Sequence, residues 1–201
     1  MIEALVLLSG LASDEAVWAE AAAGLGGAAR PIPLVARGGS IAEMAADVLA
    51  RAPERFALVG HSMGGYVALA VLAAAPERVT RLALINSSAA PDRLGQAQRR
   101  TELIARVETD GYDTVIADLA PLLVHERNRA NSALVEAVAA MTARAGQDRF
   151  IREQRAVMGR PDQRGWLTSV RLPLLAIGAA DDRIVPPADS AEIARLAPGA
   201  R

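Results

Sequence analysis

One serine stands in a setting that suits nucleophilic chemistry. Gly60-His61-Ser62-Met63-Gly64 is a G-x-S-x-G sequence, preceded by the apolar run Phe56 to Val59 and followed by the apolar stretch Tyr66 to Ala75. A strand, a sharp turn and a helix in that order lift a serine hydroxyl above a sheet edge on strained backbone, the nucleophile-elbow arrangement. Gly60 and Gly64 lack β-carbons, so strand and helix can close around the turn. The Met63 backbone N–H, at the start of the helix, then points toward an oxyanion formed on a substrate. Asp181 and Asp182 follow the apolar run Leu174 to Ile177, where either carboxylate could orient a histidine. The chain holds two histidines, His61 and His125. His61 adjoins the serine and cannot reach its hydroxyl while also meeting an acid, so it reads as a packing residue. His125, in Leu122-Leu123-Val124-His125-Glu126, reads as a surface or pocket-lining residue.

These residues need a frame, and the first third of the chain alternates strand and helix signals. Ile2 to Leu8 is a short apolar run that predicts a strand buried on both faces, and Pro31 to Val35, Phe56 to Val59, Leu82 to Ile85 and Leu174 to Ile177 predict four more strands. Ser13-Asp14-Glu15 predicts the cap of a helix running through Trp18 to Ala23, and Ser40-Ile41-Ala42-Glu43 is a capping box for a second. Tyr66 to Ala75 is apolar on every side, which predicts a helix buried all round. Strands alternating with helices predict an α/β fold, a mostly parallel sheet covered by helices on both faces. From Pro91 to about Arg164 helical periodicity takes over, as in Leu94 to Glu108, Ala133 to Ala143 and Phe150 to Met158. This predicts a helical insertion at 91–164 in a core made of 1–90 and 165–201.

Composition narrows the chemistry. The 201 residues are 52% hydrophobic and 22% charged, enough apolar mass for one well-packed domain. A net charge of -1 without a basic stripe argues against nucleic acid as a partner. No cysteine means no disulfide and no thiol nucleophile, and two histidines make a multi-histidine metal site implausible, so no metal or cofactor is expected. Phe56 to Pro76 is uncharged and long enough to span a bilayer, but the glycine-rich turn in its middle argues against that. With no basic leader before Ala4, the expectation is a cytoplasmic protein of a bacterium. Gly24-Leu25-Gly26-Gly27-Ala28-Ala29 formally matches a dinucleotide fingerprint, but it follows a helix and reads as a helix stop. Arg99, Arg100, Arg144, Arg149, Arg152 and Arg155 are interleaved with acids and read as solvated helix faces.

The chain resembles the α/β-hydrolase superfamily, and within it the small cap-bearing bacterial esterases and enol-lactonases. The resemblance is carried by Leu5 to Gly10, Trp18, Gly60-His61-Ser62-Met63-Gly64-Gly65, Ala75 to Val79, Met158 to Asp162 and Asp181 to Pro186. It implies Ser62 as nucleophile and the backbone N–H groups of Leu11 and Met63 as the oxyanion hole. The family places its acid four residues before the loop proline, which from Pro186 is Asp182 in preference to Asp181. Asp92, after the fourth strand, is the superfamily's other acid position. Where the family usually has histidine before the first loop glycine, this chain has Ser9.

The family's general-base histidine follows the acid by one more helix and strand. The chain ends at Pro198-Gly199-Ala200-Arg201, after the helix. The resemblance therefore implies a C-terminally truncated hydrolase whose last strand and helix are missing, with catalysis impaired for want of the histidine. The expected reaction is cleavage of a small carboxylic ester or lactone through an acyl-enzyme on Ser62, in a hydrophobic pocket lined by Leu119, Leu122, Leu123 and Val124. A non-catalytic ligand-binding or sensor protein of the same fold is the alternative.

Overall fold

The computed structural model describes residues 2–200. Five strands, β1 (Ala4–Leu8), β2 (Arg30–Leu34), β3 (Phe56–His61), β4 (Val79–Ile85) and β5 (Leu174–Ile177), form one parallel sheet in the order β2-β1-β3-β4-β5. β2 carries Pro31 and Pro33, which cannot donate to a ladder and fit only at an edge, the position β2 occupies. The central strands are the continuous apolar runs, covered on both faces. At the other edge β5 leaves Leu175 and Ile177 exposed.

Helices α1 (Ala19–Gly24), α2 (Ile41–Arg51), α3 (Met63–Ala74) and α9 (Pro187–Leu196) flank the sheet. The Ser40 hydroxyl accepts from the Glu43 N–H at the start of α2, so the N-cap half of the expected capping box is present. The Glu43 carboxylate, however, reaches one residue further back and accepts from the Gly39 N–H instead of that of Ser40. α3 buries Met63 through Leu69 together with Val71 and Leu72, as its lack of a polar face requires. Gly26 and Gly27 turn the chain after α1 with φ of 54° and 85°, the helix stop read from the sequence. The first predicted helix opens as a 3-10 turn, Glu15–Trp18, capped by Asp14. Neither Asp181 nor Asp189 caps α9. Pro186 occupies that position, and Asp189 is buried against the Arg93 guanidinium at 2.6 Å.

Between β4 and β5 lie α4 (Leu94–Asp110), α5 (Tyr112–Leu119), α6 (Ser132–Ala145), α7 (Gln147–Met158) and the short α8 (Arg164–Leu167). Ile104, Val107, Tyr112, Val115, Ile116, Phe150 and Ile151 form an apolar cluster of their own, joined by Ala12 from the sheet domain. Tyr112 and Phe150 meet edge-on at 5.5 Å, and the Tyr112 hydroxyl donates to the Thr142 carbonyl.

A buried ionic knot fastens these helices to the sheet. The Asp92 carboxylate accepts from Arg100 at 2.8 Å and from Arg160, and the Arg160 guanidinium lies 4.3 Å over the Tyr66 ring. Arg100 and Arg149 are therefore not solvated, contrary to the reading from charge interleaving. Their side chains are 20% and 18% exposed and each is paired to a carboxylate that is 2% exposed. Arg149 and Glu153, four residues apart on α7, give the same sequence pattern whether the pair faces water or another element, and Arg100 finds Asp92 only through the fold, eight residues away and off its helix. Among the described residues no helix is long and apolar enough to cross a membrane. The uncharged stretch from Phe56 to Pro76 is instead β3, the turn and α3.

Candidate active site

The strand order reverses direction between β1 and β3, so the loops leaving their carboxyl ends part to opposite sides and open a crevice. Leu8 and Gly60 are paired across that boundary, which sets the loop after β1 beside the turn after β3. Ser62 sits in the turn with φ 54° and ψ -118°, a conformation disfavoured for any residue with a β-carbon. It is held by its own backbone. The Ser62 N–H donates to the Ile85 carbonyl at 2.9 Å, the Gly65 N–H to the Ser62 carbonyl at 2.9 Å, and the Ser87 hydroxyl to the same carbonyl at 3.0 Å.

The glycines answer to contact rather than to flexibility. A β-carbon on Gly60 would lie 2.6 Å from the Gly64 carbonyl carbon, and one on Gly65 would lie 2.5 Å from Ser87 Cβ. Ser87, fully buried, was not singled out from the sequence because nothing in its neighbourhood distinguishes it from an ordinary loop serine.

The loop Ser9 to Ser13 runs directly over the turn. A β-carbon on Gly10 would lie 3.4 Å from Ser62 Cβ and 3.2 Å from His61 Nδ1. Ser9, where a histidine was expected from the resemblance, is buried and donates its hydroxyl to the Asp14 carbonyl at 3.0 Å, closing the loop on itself. Ala12 adopts φ 49°. Among the described residues neither the Leu11 nor the Met63 backbone N–H has a hydrogen-bond partner. Both residues line the same cavity as Ser62.

The loop after β5 reaches this cavity from two strands away. Its shape is fixed by Asn86, which has φ 46°, donates its N–H to the Ile177 carbonyl and accepts from the Ala179 N–H at 2.8 Å. An asparagine just after a strand tolerates the left-handed region, and that signal was available in the sequence. Asp182 Oδ1 accepts from Ile184 N–H at 2.8 Å and Val185 N–H at 2.9 Å. Asp181 is turned outward, 74% exposed, with Oδ2 3.2 Å from His125 Nε2. Glu126 and Arg183 bridge the same two segments at 3.3 Å. Asp92 does not line the cavity, and both its oxygens are taken by arginines.

His61 is partly buried and edge-on to Trp18 at 6.4 Å, and its Nδ1 has no hydrogen-bond partner among the described residues. Burial holds the imidazole below its ordinary pKa, with the Asp182 carboxylate acting in the opposite direction. Ser62, Asp182 and the loop after β1 are thus brought to one cavity of about 1210 Å³. The cavity is bounded by the helices between β4 and β5, with Leu119, Leu122, Leu123 and Val124 on its wall. Arg99, Arg100, Arg127, Arg129 and Arg183 also line it, so the wall is less purely apolar than the sequence predicted. Among the described residues no group of three metal-ligating side chains is found.

Comparison with known proteins agrees with this architecture. Over 96% of this chain and 76% of its own length, a Yersinia enterocolitica protein described as "Putative carbamate hydrolase RutD" is 29% identical. The enol-lactonase of Burkholderia xenovorans superposes with a TM-score of 0.88 at 21% identity, covering all of this chain and 82% of that one. A thermophilic esterase from Thermogutta terrifontis gives 0.86 at 23% identity, over 99% and 79% of the two chains. The family model described as alpha/beta hydrolase fold matches residues 23–201. With the parallel sheet, the strained Ser62 turn and that match in hand, the chain belongs to the α/β-hydrolase fold family.

Proposed function

We propose that the protein is a serine hydrolase of small carboxylic esters or lactones, with Ser62 as the nucleophile. The observation that carries the reading is the Ser62 backbone, at φ 54° between β3 and α3, beneath a loop whose Leu11 N–H is unpartnered among the described residues. Strain of that kind persists where surrounding structure enforces it, and here it raises a hydroxyl into a cavity.

In this reading Ser62 Oγ attacks the substrate carbonyl carbon and passes its proton to a histidine. The carbonyl oxygen takes up the electron pair and is held by the Leu11 and Met63 N–H groups. Collapse of the tetrahedral species expels the alcohol, which recovers the proton, and water then cleaves the acyl-enzyme. Asp182, fixed by the two N–H groups of Ile184 and Val185, orients the histidine and stabilises its cation. β5 stands two strand spacings, about 10 Å, from β3, so a third side chain has to bridge acid and nucleophile. Neither His61, packed on Trp18, nor His125, paired with Asp181, is placed as that bridge. In this reading the general-base histidine is absent from residues 1–201, which alone are expected to turn over esters poorly.

Residues 91–164 act as a cap, a reading supported by their separate apolar cluster and by the cavity between them and the sheet. Leucines of that segment would seat the acyl part of a substrate. Similarity to the Yersinia protein described as a carbamate hydrolase extends the class to carbamates, which present the same carbonyl to Ser62.

The test is hydrolysis of 4-nitrophenyl acetate, a small lactone and an alkyl carbamate by the product of the natural gene. Ser62→Ala is expected to lower kcat by several orders of magnitude on whichever class is turned over. Turnover that survives Ser62→Ala sinks the reading.

A further inference from the structure

The loop carrying the Leu11 N–H is gripped from above, and the grip comes from helices α6 and α7, far away in sequence. Glu153 Oε2 accepts the Ala12 N–H at 2.7 Å. Its other oxygen accepts from Arg149 Nε at 2.6 Å, and Arg149 donates on to the Ser13 carbonyl at 2.6 Å. Arg144 donates to the Asp14 carboxylate at 2.7 Å. Ala12 and Ser13 of the loop, and Asp14 directly after it, are thereby tied to three side chains of the helical segment.

Glu153 is 1% exposed. A buried carboxylate is costly unless its oxygens are satisfied, and the burial raises its pKa while the Ala12 N–H and Arg149 oppose that rise. The partner it has taken is the N–H of a residue at φ 49°, adjacent to Leu11, in a loop lying against Ser62. A left-handed alanine is unfavourable by itself, so its conformation has to be imposed by neighbours. The Ser13 N–H, donating to the Gly10 carbonyl at 3.2 Å, closes a turn with Ala12 as its third residue, and the charge-assisted bond from Ala12 N–H to Glu153 holds the central Leu11–Ala12 peptide of that turn in its flipped orientation.

We propose that Glu153, backed by Arg149, is a positioning residue of the oxyanion hole. By holding the Ala12 N–H it fixes the Leu11–Ala12 peptide, which together with the Gly10–Ser13 turn bond sets the direction of the Leu11 N–H one peptide earlier, and the hole is assembled only when the helical segment is docked. The proposal rests on the serine-hydrolase reading.

The natural gene product is assayed with 4-nitrophenyl acetate as substrate and 2,2,2-trifluoroacetophenone as a reversible inhibitor, whose adduct with Ser62 carries an oxyanion. Glu153→Leu removes the acceptor at similar volume, and Glu153→Gln retains an oxygen for the Ala12 N–H. Glu153→Leu is expected to lower kcat about 10- to 100-fold, less than the loss of an entire oxyanion donor, and to raise the ketone's inhibition constant by a similar factor. KM should stay within about twofold, and Glu153→Gln should recover most of the loss.

A merely structural Glu153 would reduce the amount of active protein, which leaves an inhibition constant unmoved. An unmoved constant in folded Glu153→Leu overturns the proposal. Should that variant not fold, amide exchange in the unaltered protein decides: slow exchange at Ala12 is expected, and exchange at the rate of a free loop overturns it. If the unaltered protein shows no Ser62-dependent turnover, the serine-hydrolase reading itself falls and the oxyanion role with it. Ser62-dependent turnover with an unmoved inhibition constant removes the positioning role alone.

Discussion

The Leu8 carbonyl at the end of β1 occupies the space that a side chain on Gly64 would need. A β-carbon there would stand 2.7 Å from the Leu8 carbonyl carbon and 2.8 Å from the Ser9 carbonyl oxygen, both rigid backbone. Helix α3 can approach β1 this closely only without that carbon. Gly64→Ala is accordingly expected to destabilise the protein by more than about 3 kcal/mol, at the upper end of single-site effects. Gly24→Ala, where nothing lies within 4 Å, should change stability little. Urea denaturation of the two variants checks the contrast.

The strain at Ser62 has a measurable counterpart. Ser62→Ala keeps the β-carbon at φ 54°, whereas Ser62→Gly removes it. Both should lose turnover, but only the glycine variant relieves the backbone. After allowing for the greater freedom of glycine in the unfolded chain, Ser62→Gly should be about 1 kcal/mol more stable than Ser62→Ala. A glycine variant less stable than the alanine variant by the full unfolded-chain difference, about 0.4–1 kcal/mol, would show that the turn is not strained.

The two neighbouring aspartates are separable by their partners. Asp182 holds two backbone N–H groups at the cavity, and Asp181 meets His125 at its exposed edge. If Asp182 orients the base, Asp182→Asn lowers kcat by up to about 10⁴-fold, while Asp181→Asn stays within a few-fold. Steady-state kinetics on 4-nitrophenyl acetate distinguishes them, and the reverse order would reassign the acid.

Asp92 is predicted to matter for stability and not for chemistry. Its carboxylate neutralises Arg100 and Arg160, whose side chains are 20% and 4% exposed. Asp92→Ala leaves two guanidinium groups in the interior without their counter-ion, a loss of about 3–5 kcal/mol. Chemical denaturation measures this. Residual folded enzyme should keep its KM.

His61 sets a pH dependence of known sign. Burial lowers its folded pKa, so between the ordinary value of 6.5 and that lower value the unfolded chain binds a proton that the folded chain refuses. Stability from this source is present above pH 6.5 and is lost as pH falls through the folded value. His61→Gln should flatten the stability profile as pH falls below 6.5, compared with the unaltered protein by thermal denaturation. An identical slope in both would mean that the imidazole titrates normally.

Much of the frame was legible before folding. Apolar runs of strand length, the Ser40 N-cap and the non-polar α3 follow from local periodicity, which acts over a few residues and needs no partner. The turn at Ser62 was legible because a G-x-S-x-G signature between a strand signal and a helix signal marks a nucleophile elbow, while its strained backbone is held by contacts that only the fold supplies. The resemblance to α/β-hydrolases then pointed to Leu11 and Asp182, and the chain's membership of that family agrees with the fold it implied.

What the sequence did not disclose depends on which elements dock. Arg149 looks like a solvated arginine in one dimension because a buried pair and a surface pair share the same i,i+4 spacing along a helix, and Arg100 does so because its partner Asp92 lies eight residues away, off the helix. Ser87 under the turn, Asn86 beneath the acid loop and Glu153 over the Leu11 loop take their meaning from contacts across 25, 93 and 141 residues. Burial gives those contacts their worth, since a polar group removed from water must find a partner, and only the tertiary structure decides which one is within reach.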